Sequence, residues 1–360
     1  MLNPGDTIGI LGGGQLGRMM ALAASRLGLK THIFCPDPDS PAFDVTAFHT
    51  CADYEDEDAL TAFAEAVQCV TYEFENIPAP TVDFLKKRLP VLPDETVLRT
   101  SQDRLVEKTF FQSIGIQTAN FKEVSSQEEL MEAVEAVGLP GLLKTRRFGY
   151  DGKGQVFLKK IEDLDGAFET IGAQQAILEA FVPFEREISV IAARNAQGQI
   201  VSYDIAENVH KSQILNTTTV PADISEGIAA EARKIGELVA EKLNYVGVLA
   251  VELFLLPETF EKRLIANEMA PRVHNSGHWT ESACLVSQFE QHIRAVAGWP
   301  LGDTTRHSDV VMTNLIGDDI ERREELLSSP ATSFHSYGKA ETRDGRKMGH
   351  ANHITPIKGS

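Results

Sequence analysis

The stretch "IGILGGGQLGRMM", Ile8–Met20, decides the fold of the first part of this chain. An apolar run ends at Gly12, and Gly12, Gly14 and Gly17 follow the spacing G-x-G-x-x-G before a helical pattern begins. In dinucleotide-binding folds, such a turn holds phosphate and an acid after the second strand holds ribose; Asp37 follows the second apolar run, "THIFC". By itself, the stretch predicts a Rossmann-like domain and leaves NAD among its candidate ligands.

Strand and helix patterns continue to alternate beyond this turn. An acid-started helix, "EDEDALTAFAEAV", is followed by the apolar run "CVTYEF". Helices that connect successive strands favour a parallel sheet. The segment "DRLVEKTFFQSIGI" then predicts a helix that ends at Gly115.

Length and composition restrict the class of protein. A chain of 360 residues suggests two or three domains, and 42% apolar with 24% charged residues is typical of a globular protein. The net charge of −18 argues against non-specific nucleic-acid binding. We find no apolar run of membrane-spanning length and no basic start typical of a secretory signal. We therefore expect a cytoplasmic protein without a membrane partner; its cysteines, Cys35, Cys51, Cys69 and Cys284, lack metal-site spacing and are expected to be reduced.

The middle of the chain predicts a second α/β block. Ser126 and Glu129 cap a predicted helix that ends at Gly138, and "GLLKT" and "GQVFLKK" are predicted strands around a glycine-rich turn. Further strands are predicted at "QAILEAFV", "REISVIAARN" and "QIVSYDIAENVH", and a helix at "SEGIAAEARKIGELVAEKL". Two apolar runs, "VGVLAVELFLL" and "RLIANEMA", then predict a strand pair joined by a polar turn.

The glycine-rich turn carries candidate phosphate-binding groups. Gly149, Gly152 and Gly154 surround Lys153, and Lys144 ends the preceding strand. Backbone N–H groups in such a loop can approach phosphate oxygens while the lysines neutralise their charge. A solvated hairpin would explain the same residues.

Acidic residues interrupt several apolar strands. Glu252 and Glu268 stand inside two successive strands, where an unpaired ionised carboxylate is costly. A divalent cation bound between adjacent strands, such as Mg²⁺, would satisfy both acids, and pairing with a nearby Arg or Lys is the alternative. Glu179 and Glu187 lie at strand ends, where they could contact an adenine amine and ribose hydroxyls or simply be solvated.

Two polar clusters follow in the sequence. Directly after Glu268 come several hydrogen-bonding side chains, which suit an anion held by Arg and Asn with a His for proton transfer, or a loop pinned by polar contacts. Near the end, a basic cluster within "FHSYGKAETRDGRKMGHANHIT" could bind a substrate phosphate, and its apolar neighbours favour an ordered strand pair. The first cluster comprises Arg272, His274, Asn275, Ser276 and His278, and the second comprises Lys339, Arg343, Arg346 and Lys347.

Five motifs in this order resemble the ATP-grasp superfamily and, within it, the N5-carboxyaminoimidazole ribonucleotide synthetases. They are "GILGGGQLGRM", "TYEFENIP", "RRFGYDGKGQ", "NEMAPRVHNSGHWT" and "YGKAETRDGRKMGH", and they span residues 8–350. The resemblance implies a mixed α/β and α+β architecture. It comprises an N-terminal Rossmann-like (pre-ATP-grasp) domain over 1–104, a central two-lobed ATP-grasp domain over 105–298 and a small β-rich C-terminal domain over 299–360.

The resemblance also implies the ligands. Mg²⁺ is expected on Glu252 and Glu268, and 5-aminoimidazole ribonucleotide (AIR) against the N-terminal glycine turn in place of a dinucleotide. The turn's N–H groups would face that nucleotide. ATP is expected on Arg104, Lys144, Gly149, Tyr150, Asp151, Gly152, Lys153, Gly154, Gln155, Glu179, Ala180, Phe181, Val182, Glu187, His210, Asn267 and Glu268. AIR is expected on Gln15, Leu16, Glu73 and Asn76, with its phosphate on Lys339, Arg346 and Lys347.

The implied reaction is carboxylation of AIR with ATP and bicarbonate, through carboxyphosphate, in purine biosynthesis, by a homodimer. Arg272 would hold bicarbonate, with His274 and Asn275 aligning it, and Lys153 would offset phosphoryl charge. Tyr150 and Asp151 would close the loop over the intermediate, and Glu73 would orient or deprotonate the amine.

Three other functions remain open from the sequence. A formyl-transferring ligase that uses formate and glycinamide ribonucleotide would share the ATP residues. An NAD-linked oxidoreductase would use the glycine turn and Asp37 but leaves Glu252, Glu268 and the basic C-terminus unexplained. A protein that binds ATP without turnover is the non-catalytic alternative.

Overall fold

The computed structural model describes residues 1–149 and 152–357, and within these ranges the strands form three sheets. The first sheet has the order β3-β2-β1-β4 with parallel pairing, which confirms the prediction for the first hundred residues. Its elements are β1 (Thr7–Leu11), α1 (Gln15–Arg26), β2 (Lys30–Phe34), β3 (Phe48–Thr50), α2 (Glu57–Ala66), β4 (Cys69–Tyr72), α3 (Ala79–Lys86), α4 (Glu95–Ser101) and α5 (Arg104–Ser113).

The second sheet is antiparallel, in the order β5-β8-β6-β7. The predicted helix after Ser126 is present, with the Ser126 hydroxyl accepting the N–H of Glu129 and Gly138 ending it at a positive φ of 88°. The elements are β5 (Phe121–Val124), α6 (Gln127–Val137), β6 (Gly141–Thr145), β7 (Gln155–Leu158), α7 (Ala167–Thr170) and β8 (Ala176–Ala180).

The third sheet has the order β14-β13-β9-β11-β12-β15-β17-β16, with β10 paired to β9. The stretch "QIVSYDIAENVH", expected as one strand, forms two strands that both pair antiparallel with β9. The register against β9 shifts by one residue between Ser202 and Ala206, at Tyr203, whose side chain is buried and donates to the Val286 carbonyl. The elements are β9 (Arg186–Arg194), β10 (Ile200–Ser202), β11 (Ala206–Lys211), β12 (Ile214–Val220), α8 (Glu226–Lys242), β13 (Gly247–Leu255), β14 (Leu264–Ala270), α9 (Thr280–Ala283), α10 (Gln288–Val296), β15 (Asp309–Ile316), α11 (Arg323–Leu327), β16 (Thr332–Ser336) and β17 (Lys347–Thr355).

The C-terminal strands extend the central sheet. β15 pairs with β12, Thr217 lying opposite Thr313, and β16 and β17 form the expected strand pair at the sheet's edge. The polar groups carried by β17 therefore reach the same surface as those of β12.

The N-terminal domain shares a hydrophobic core with the central sheet. Helix α10 packs against both α1 and β13, and its fully buried residue His292 bonds to Thr71 of β4 and to the N–H of Val248 on β13. Because this contact is fully buried, the N-terminal domain is positioned rigidly relative to the central sheet. Across the described residues, every helix is too short or too polar to span a bilayer.

Candidate active site

A cleft of about 960 Å³ opens where the three sheets meet. Helix α5, the β6–β7 hairpin and strand β14 contribute to its walls, as do the segment Glu73–Asn76 that follows β4 and Lys347 of β17. A cleft of this size suits a nucleotide together with a second small molecule.

The glycine turn holds a carboxylate of the chain itself. The Glu73 side chain, at the end of β4, accepts the N–H of Gly14 and, at 2.8 Å, the N–H of Gly17. A Cβ atom at Gly14 would lie 2.6 Å from Glu73 Oε1, so any larger residue here would displace the carboxylate. These two N–H groups, expected to face the nucleotide substrate, therefore donate to Glu73. Since Asp37 is exposed and outside the cleft lining, the NAD interpretation loses both of its sequence supports.

Burial raises the pKa of Glu73, although its bonds to Gly17 and Gly14 and the charges of Arg272 and Lys339 act in the opposite direction. The side chain is 7% exposed and lines the cleft. Glu73 thus joins the glycine turn to the wall of the site.

One face of α5 is attached to β14. Arg104 Nη1 lies 3.0 Å from Glu268 Oε2, Glu107 accepts the N–H of Met269 at 2.7 Å, and Lys108 donates to the Asn267 carbonyl at 2.9 Å. Sequence reasoning missed Glu107 and Lys108; their i, i+3, i+4 spacing from Arg104 was the available signal.

A buried charge cluster lies beneath the cleft floor. Glu179 accepts from Lys108 and Lys144, each at 3.0 Å. Burial opposes ionisation of Glu179, but the two lysines outweigh it and lower its pKa to about 2. Glu179 is therefore a buried anchor for Lys144; within the predicted stretch Glu179–Val182, Phe181 lines the cleft.

The glycine-rich loop reaches across to the central sheet. The Gln155 amide donates to Gln213 Oε1 at 2.6 Å, and Arg104 Nη2 donates to the Gly149 carbonyl at 3.1 Å. Gly154 packs against Thr145, behind the lining. The predicted loop-tip residues Tyr150 and Asp151 lie outside the described residues.

Glu252 and Glu268 are direct cross-strand partners on β13 and β14, and both line the cleft. This confirms that the two acids stand on adjacent strands. Burial and the neighbouring Glu268 charge raise the pKa of Glu252 to about 7, whereas Arg104 opposes burial at Glu268 and holds that pKa below its usual value. Glu268 thus pairs with an arginine, as expected if the acids are balanced by nearby basic side chains and not by a cation. Among the described residues, the partner of Glu252 within ion-pair distance is the imidazole of a histidine, which is neutral.

That imidazole belongs to His274, whose Nε2 lies 3.2 Å from Glu252 Oε1. Its Nδ1 accepts the N–H of Ser276 at 3.3 Å, so the neutral ring carries its proton on Nε2. Burial, followed by the charges of Arg272 and Lys347, lowers the pKa of His274 to about 3. The ring is therefore a neutral donor to the Glu252 carboxylate.

A buried relay fixes this tautomer. Thr218 donates to Asn208, Asn208 to Ser189 and Ser189 to Ser276, at 2.9, 2.9 and 2.7 Å. Ser276 Oγ in turn lies 2.9 Å from His274 Nδ1. These residues come from β12, β11, β9 and the turn after β14, so no local sequence pattern indicates the relay.

Arg272 is surrounded by acidic residues: Glu73 and Glu75 of the N-terminal domain, and Glu268 of β14. Its Nε donates to the Glu75 carboxylate. Burial would raise the pKa of Glu75, but the Arg272 guanidinium outweighs that effect, so the pKa lies below its usual value. Asn275 exchanges two amide hydrogen bonds with Asn314 of β15, at 2.9 and 2.8 Å. Both predicted residues line the cleft, and both are held by partners that the sequence did not indicate.

An aromatic wall closes the other end of the cleft. Phe184 stacks on Phe254 with ring centroids 4.6 Å apart, and Phe157 lies near Phe181 at 5.7 Å. Phe157, Phe181 and Phe184 are 40–45% exposed, which is unusual for aromatic residues in a stable core. Nearby, His210 Nδ1 lies 2.9 Å from Glu187 Oε2, and Glu187 opposes burial to raise the pKa of His210.

The basic C-terminal residues divide into two groups. Lys347 lines the cleft, and Lys339 donates to the Lys347 carbonyl at 2.7 Å. Arg343 pairs with Glu341, and Arg346 donates to the Glu341 carbonyl at 2.8 Å. Lys339 and Arg346 are outside the cleft lining, although the charge of Lys339 acts on the lining residue Glu73.

The cleft assembles most of the expected site residues. Those that line it are Gln15, Leu16, Glu73, Asn76, Arg104, Lys144, Gly149, Gly152, Lys153, Gln155, Phe181, Glu187, His210, Glu252, Asn267, Glu268, Arg272, His274, Asn275 and Lys347. Those described but outside the lining are Gly154, Glu179, Ala180, Val182, Lys339 and Arg346.

Three family models match consecutive parts of the chain. They are the ribonucleotide synthetase preATP-grasp domain over residues 6–102, the ATP-grasp domain over 109–289 and the phosphoribosylaminoimidazole carboxylase C-terminal domain over 310–358. These matches agree with the expected order of Rossmann-like, ATP-grasp and C-terminal parts.

Relatives and solved structures match over the whole chain. The N5-carboxyaminoimidazole ribonucleotide synthase of Brucella melitensis is 53% identical over 99% of this chain and 98% of its own. The N5-carboxyaminoimidazole synthetase of Staphylococcus aureus, solved with ADP, is 37% identical with a TM-score of 0.93, covering 98% of this chain and 94% of that one. The Aspergillus clavatus N5-carboxyaminoimidazole synthase, solved with ADP and 5-aminoimidazole ribonucleotide, is 28% identical with a TM-score of 0.91 and the same coverage.

Proposed function

The chain belongs to the N5-carboxyaminoimidazole ribonucleotide synthase family, and from this premise we propose how its cleft carries out the carboxylation of AIR. The reaction consumes ATP and bicarbonate, releases ADP and phosphate, and places the new carboxylate on the exocyclic amine of AIR. The observation that carries the proposal is the single cleft that joins Glu252 and Glu268 to the cations Arg104, Lys144 and Arg272. The alternative function, a formyl-transferring ligase that uses formate and glycinamide ribonucleotide, does not agree with this family membership.

The aromatic wall is the proposed adenine site. The stacked Phe184–Phe254 pair offers an apolar surface at one end of the cleft, and Glu187 and His210 stand beside it as partners for ribose hydroxyls. Toward the opposite end, Lys144 and the loop residue Lys153 supply positive charge for the phosphates. This orientation directs the γ-phosphate toward the carboxylate pair.

The carboxylate pair fits Mg²⁺. Two oxygen ligands face each other across adjacent strands, and the raised pKa of Glu252 reflects a negative charge that the described protein groups do not fully compensate. Glu252 and Glu268 would hold the ion, with Asn267 adjacent. When bound, Mg²⁺ supplies charge neutralisation for the phosphates.

Arg272 is the proposed bicarbonate site. Its Nε donates to the Glu75 carboxylate, its charge acts on the neutral His274 ring, and it lines the same cleft as the acids that would hold the metal. A bicarbonate oxygen attacks the γ-phosphorus of ATP, and ADP leaves. The resulting carboxyphosphate loses phosphate as CO₂ forms, and the AIR amine attacks that carbon with loss of a proton. His274 positions Glu252 by its Nε2–H bond, and Asn275 is held beside it by Asn314.

AIR is proposed to lie against the N-terminal domain. Gln15, Leu16 and Asn76 line the cleft there, with Glu73 accepting two N–H groups of the turn and facing Arg272 and Lys339. Lys347, supported by Lys339, is the lining cation for the ribonucleotide phosphate. The boundaries 1–104, 105–298 and 299–360, and the homodimer, are part of this proposal; sedimentation of the purified chain tests the dimer.

The activity is tested by ADP release with one substrate omitted at a time. We expect release that requires both bicarbonate and AIR, and none when formate and glycinamide ribonucleotide replace them. Arg272→Ala is expected to lower carboxylation by about 100-fold while Mg·ADP still binds, because a preorganised donor to the anion is lost. Arg99→Ala, on the surface of α4, is the control. Near-normal carboxylation by the Arg272 variant would remove that residue from the mechanism.

A further inference from the structure

A second cluster of ligating side chains lies away from the cleft, between α9 and the β16–β17 pair. His335 and His350 are direct cross-strand partners, and Glu281 of α9 faces them. Glu281 Oε2 lies 3.7 Å from His335 Nδ1 and 3.8 Å from His350 Nε2, and one ligand atom from each residue falls within 4.8 Å of the others. The lining of the catalytic cleft contains none of the three.

One polar atom of each of these three side chains is buried without a hydrogen-bond partner among the described residues. Among the described residues, Glu281 Oε2, His335 Nε2 and His350 Nε2 are buried without a hydrogen bond. His350 is fully buried. Because unsatisfied buried polar atoms are costly, Glu281 Oε2 and His350 Nε2, 3.8 Å apart and both unsatisfied, indicate a missing group between them, and His335 Nδ1 lies 3.7 Å from the same carboxylate oxygen.

The charges indicate a cation. The three side chains bring one carboxylate and two imidazoles to within 4.8 Å of one another. Neutral imidazoles present lone pairs, and a positive ion would compensate the carboxylate. A proton shared between Glu281 and one ring would satisfy fewer of the three atoms.

We propose that Glu281, His335 and His350 form a site for a Zn²⁺-class divalent cation that ties α9 to the β16–β17 pair. Two imidazoles and one carboxylate suit such an ion, whereas Mg²⁺ prefers oxygen ligands throughout. With metal–ligand bonds of about 2.0–2.1 Å, tetrahedral ligand atoms lie about 3.3 Å apart. Glu281 Oε2 lies 3.7 and 3.8 Å from the two histidine nitrogens, and all three ligand atoms fall within 4.8 Å of one another, so the side chains would move together on binding an ion.

The surroundings support the ligands. The Tyr337 hydroxyl lies 2.9 Å from His350 Nδ1, so that nitrogen has a partner while Nε2 faces Glu281. The two rings stack with an angle of 7° and centroids 4.3 Å apart, so binding one ion through both rings would require the partly exposed His335 ring to rotate. A separate cavity of about 310 Å³, lined by Glu281 and Asn352, provides access from solvent.

The test titrates Zn²⁺ into the full-length, EDTA-dialysed protein in the presence of excess Mg·ADP, which occupies the catalytic cleft. We expect saturable binding of one equivalent by calorimetry, and a Co²⁺ absorption spectrum typical of nitrogen and oxygen ligands. Glu281→Gln and His335→Gln should each weaken Zn²⁺ binding at least tenfold. Tyr337→Phe should weaken Zn²⁺ binding about 10-fold or more, because its hydroxyl orients the ligand His350. His353→Gln, an exposed histidine on the same strand, is the matched control.

Two results would overturn the proposal: no saturable Zn²⁺ binding to the wild-type chain, or equal affinity in the Glu281, His335 and control variants. Loss of Zn²⁺ binding in a Glu268→Gln variant, with the Glu281 and His335 variants unaffected, would also overturn it by assigning the ion to the cleft. ADP binding by the Glu281, His335, Tyr337 and His353 variants reports that each is folded, and circular dichroism reports it for Glu268→Gln. Because Glu281 and His335 are partly exposed, their variants remain informative if substitution of the fully buried His350 disrupts folding.

Discussion

Glu252 and Glu268 lie directly opposite each other on antiparallel strands, and each has a different partner: His274 for Glu252 and Arg104 for Glu268. Two carboxylates this close disfavour joint ionisation unless positive charge is added. The pair is therefore suited to a cation, and Arg104 moderates the repulsion when none is bound.

Replacing Glu268 by Gln is expected to weaken Mg²⁺-dependent ADP binding by about tenfold or more, roughly 1.4 kcal/mol, because one charged oxygen ligand is lost. Calorimetry with and without Mg²⁺ measures the effect. Glu258→Gln, in the exposed turn between the same two strands, should change nothing. If the Mg²⁺ dependence of Glu268→Gln matched that of Glu258→Gln, the metal assignment would fail.

Ser189→Ala should interrupt the relay that fixes the His274 tautomer. Because one buried hydrogen bond contributes about 0.5–1.5 kcal/mol, we expect kcat/KM to fall roughly two- to tenfold while ADP affinity stays unchanged. Steady-state kinetics measure this, and the ¹⁵N shifts of the His274 ring report the tautomer. Ser202→Ala, on β10 of the same sheet, is the control. An unchanged ring spectrum in Ser189→Ala would contradict the role of the relay.

Glu73→Gln is expected to destabilise the N-terminal domain by about 1.5–3 kcal/mol, because an amide has a single oxygen to accept from Gly14 and Gly17 and presents N–H groups to the other donor. Urea unfolding measures the loss, and the KM for AIR should rise with it. Glu65→Gln, exposed on α2, serves for comparison. Equal stability of the two variants would show that the turn does not depend on this carboxylate.

His292 predicts acid sensitivity. Its Nδ1 accepts the N–H of Val248, and burial lowers its pKa from 6.5 to about 4. As pH falls, the His292 ring is protonated in the unfolded chain before it is protonated in the folded one. The neutral ring therefore contributes fully to the free energy of unfolding above pH 6.5, and about 3 kcal/mol of that free energy is lost as pH falls toward 4.

The free energy of unfolding of His292→Gln should therefore depend less steeply on pH between 6.5 and 4 than that of the wild type. Urea titrations at several pH values compare the slopes, with the exposed His307→Gln as a control. Parallel slopes for wild type and His292→Gln would exclude this residue as a source of the acid sensitivity.

Much of the site followed from local pattern. An acid inside an apolar strand, such as Glu252, is visible because apolar residues flank it on both sides, and two such strands joined by a turn place Glu252 opposite Glu268. The glycine loop with Lys153, and the pair Arg272 and His274, were likewise visible from residues a few positions apart. Lys108 was hidden, because a lysine within a polar helix is ordinary until a buried carboxylate meets it.

The sequence by itself determined the parallel N-terminal sheet and the strands that carry the acids, because these depend on hydrophobic periodicity and turn residues a few positions apart, and its motifs implied the order of the three parts through the family resemblance. Tertiary structure alone decided that Glu73 fills the glycine turn 56 residues away, and that Ser189 supports the His274 ring through Ser276, 87 residues from it. It also decided that Glu281 meets His335 and His350. These contacts depend on where a side chain finds a partner after the chain has folded, and chain-distant partners leave no periodic signal in the sequence.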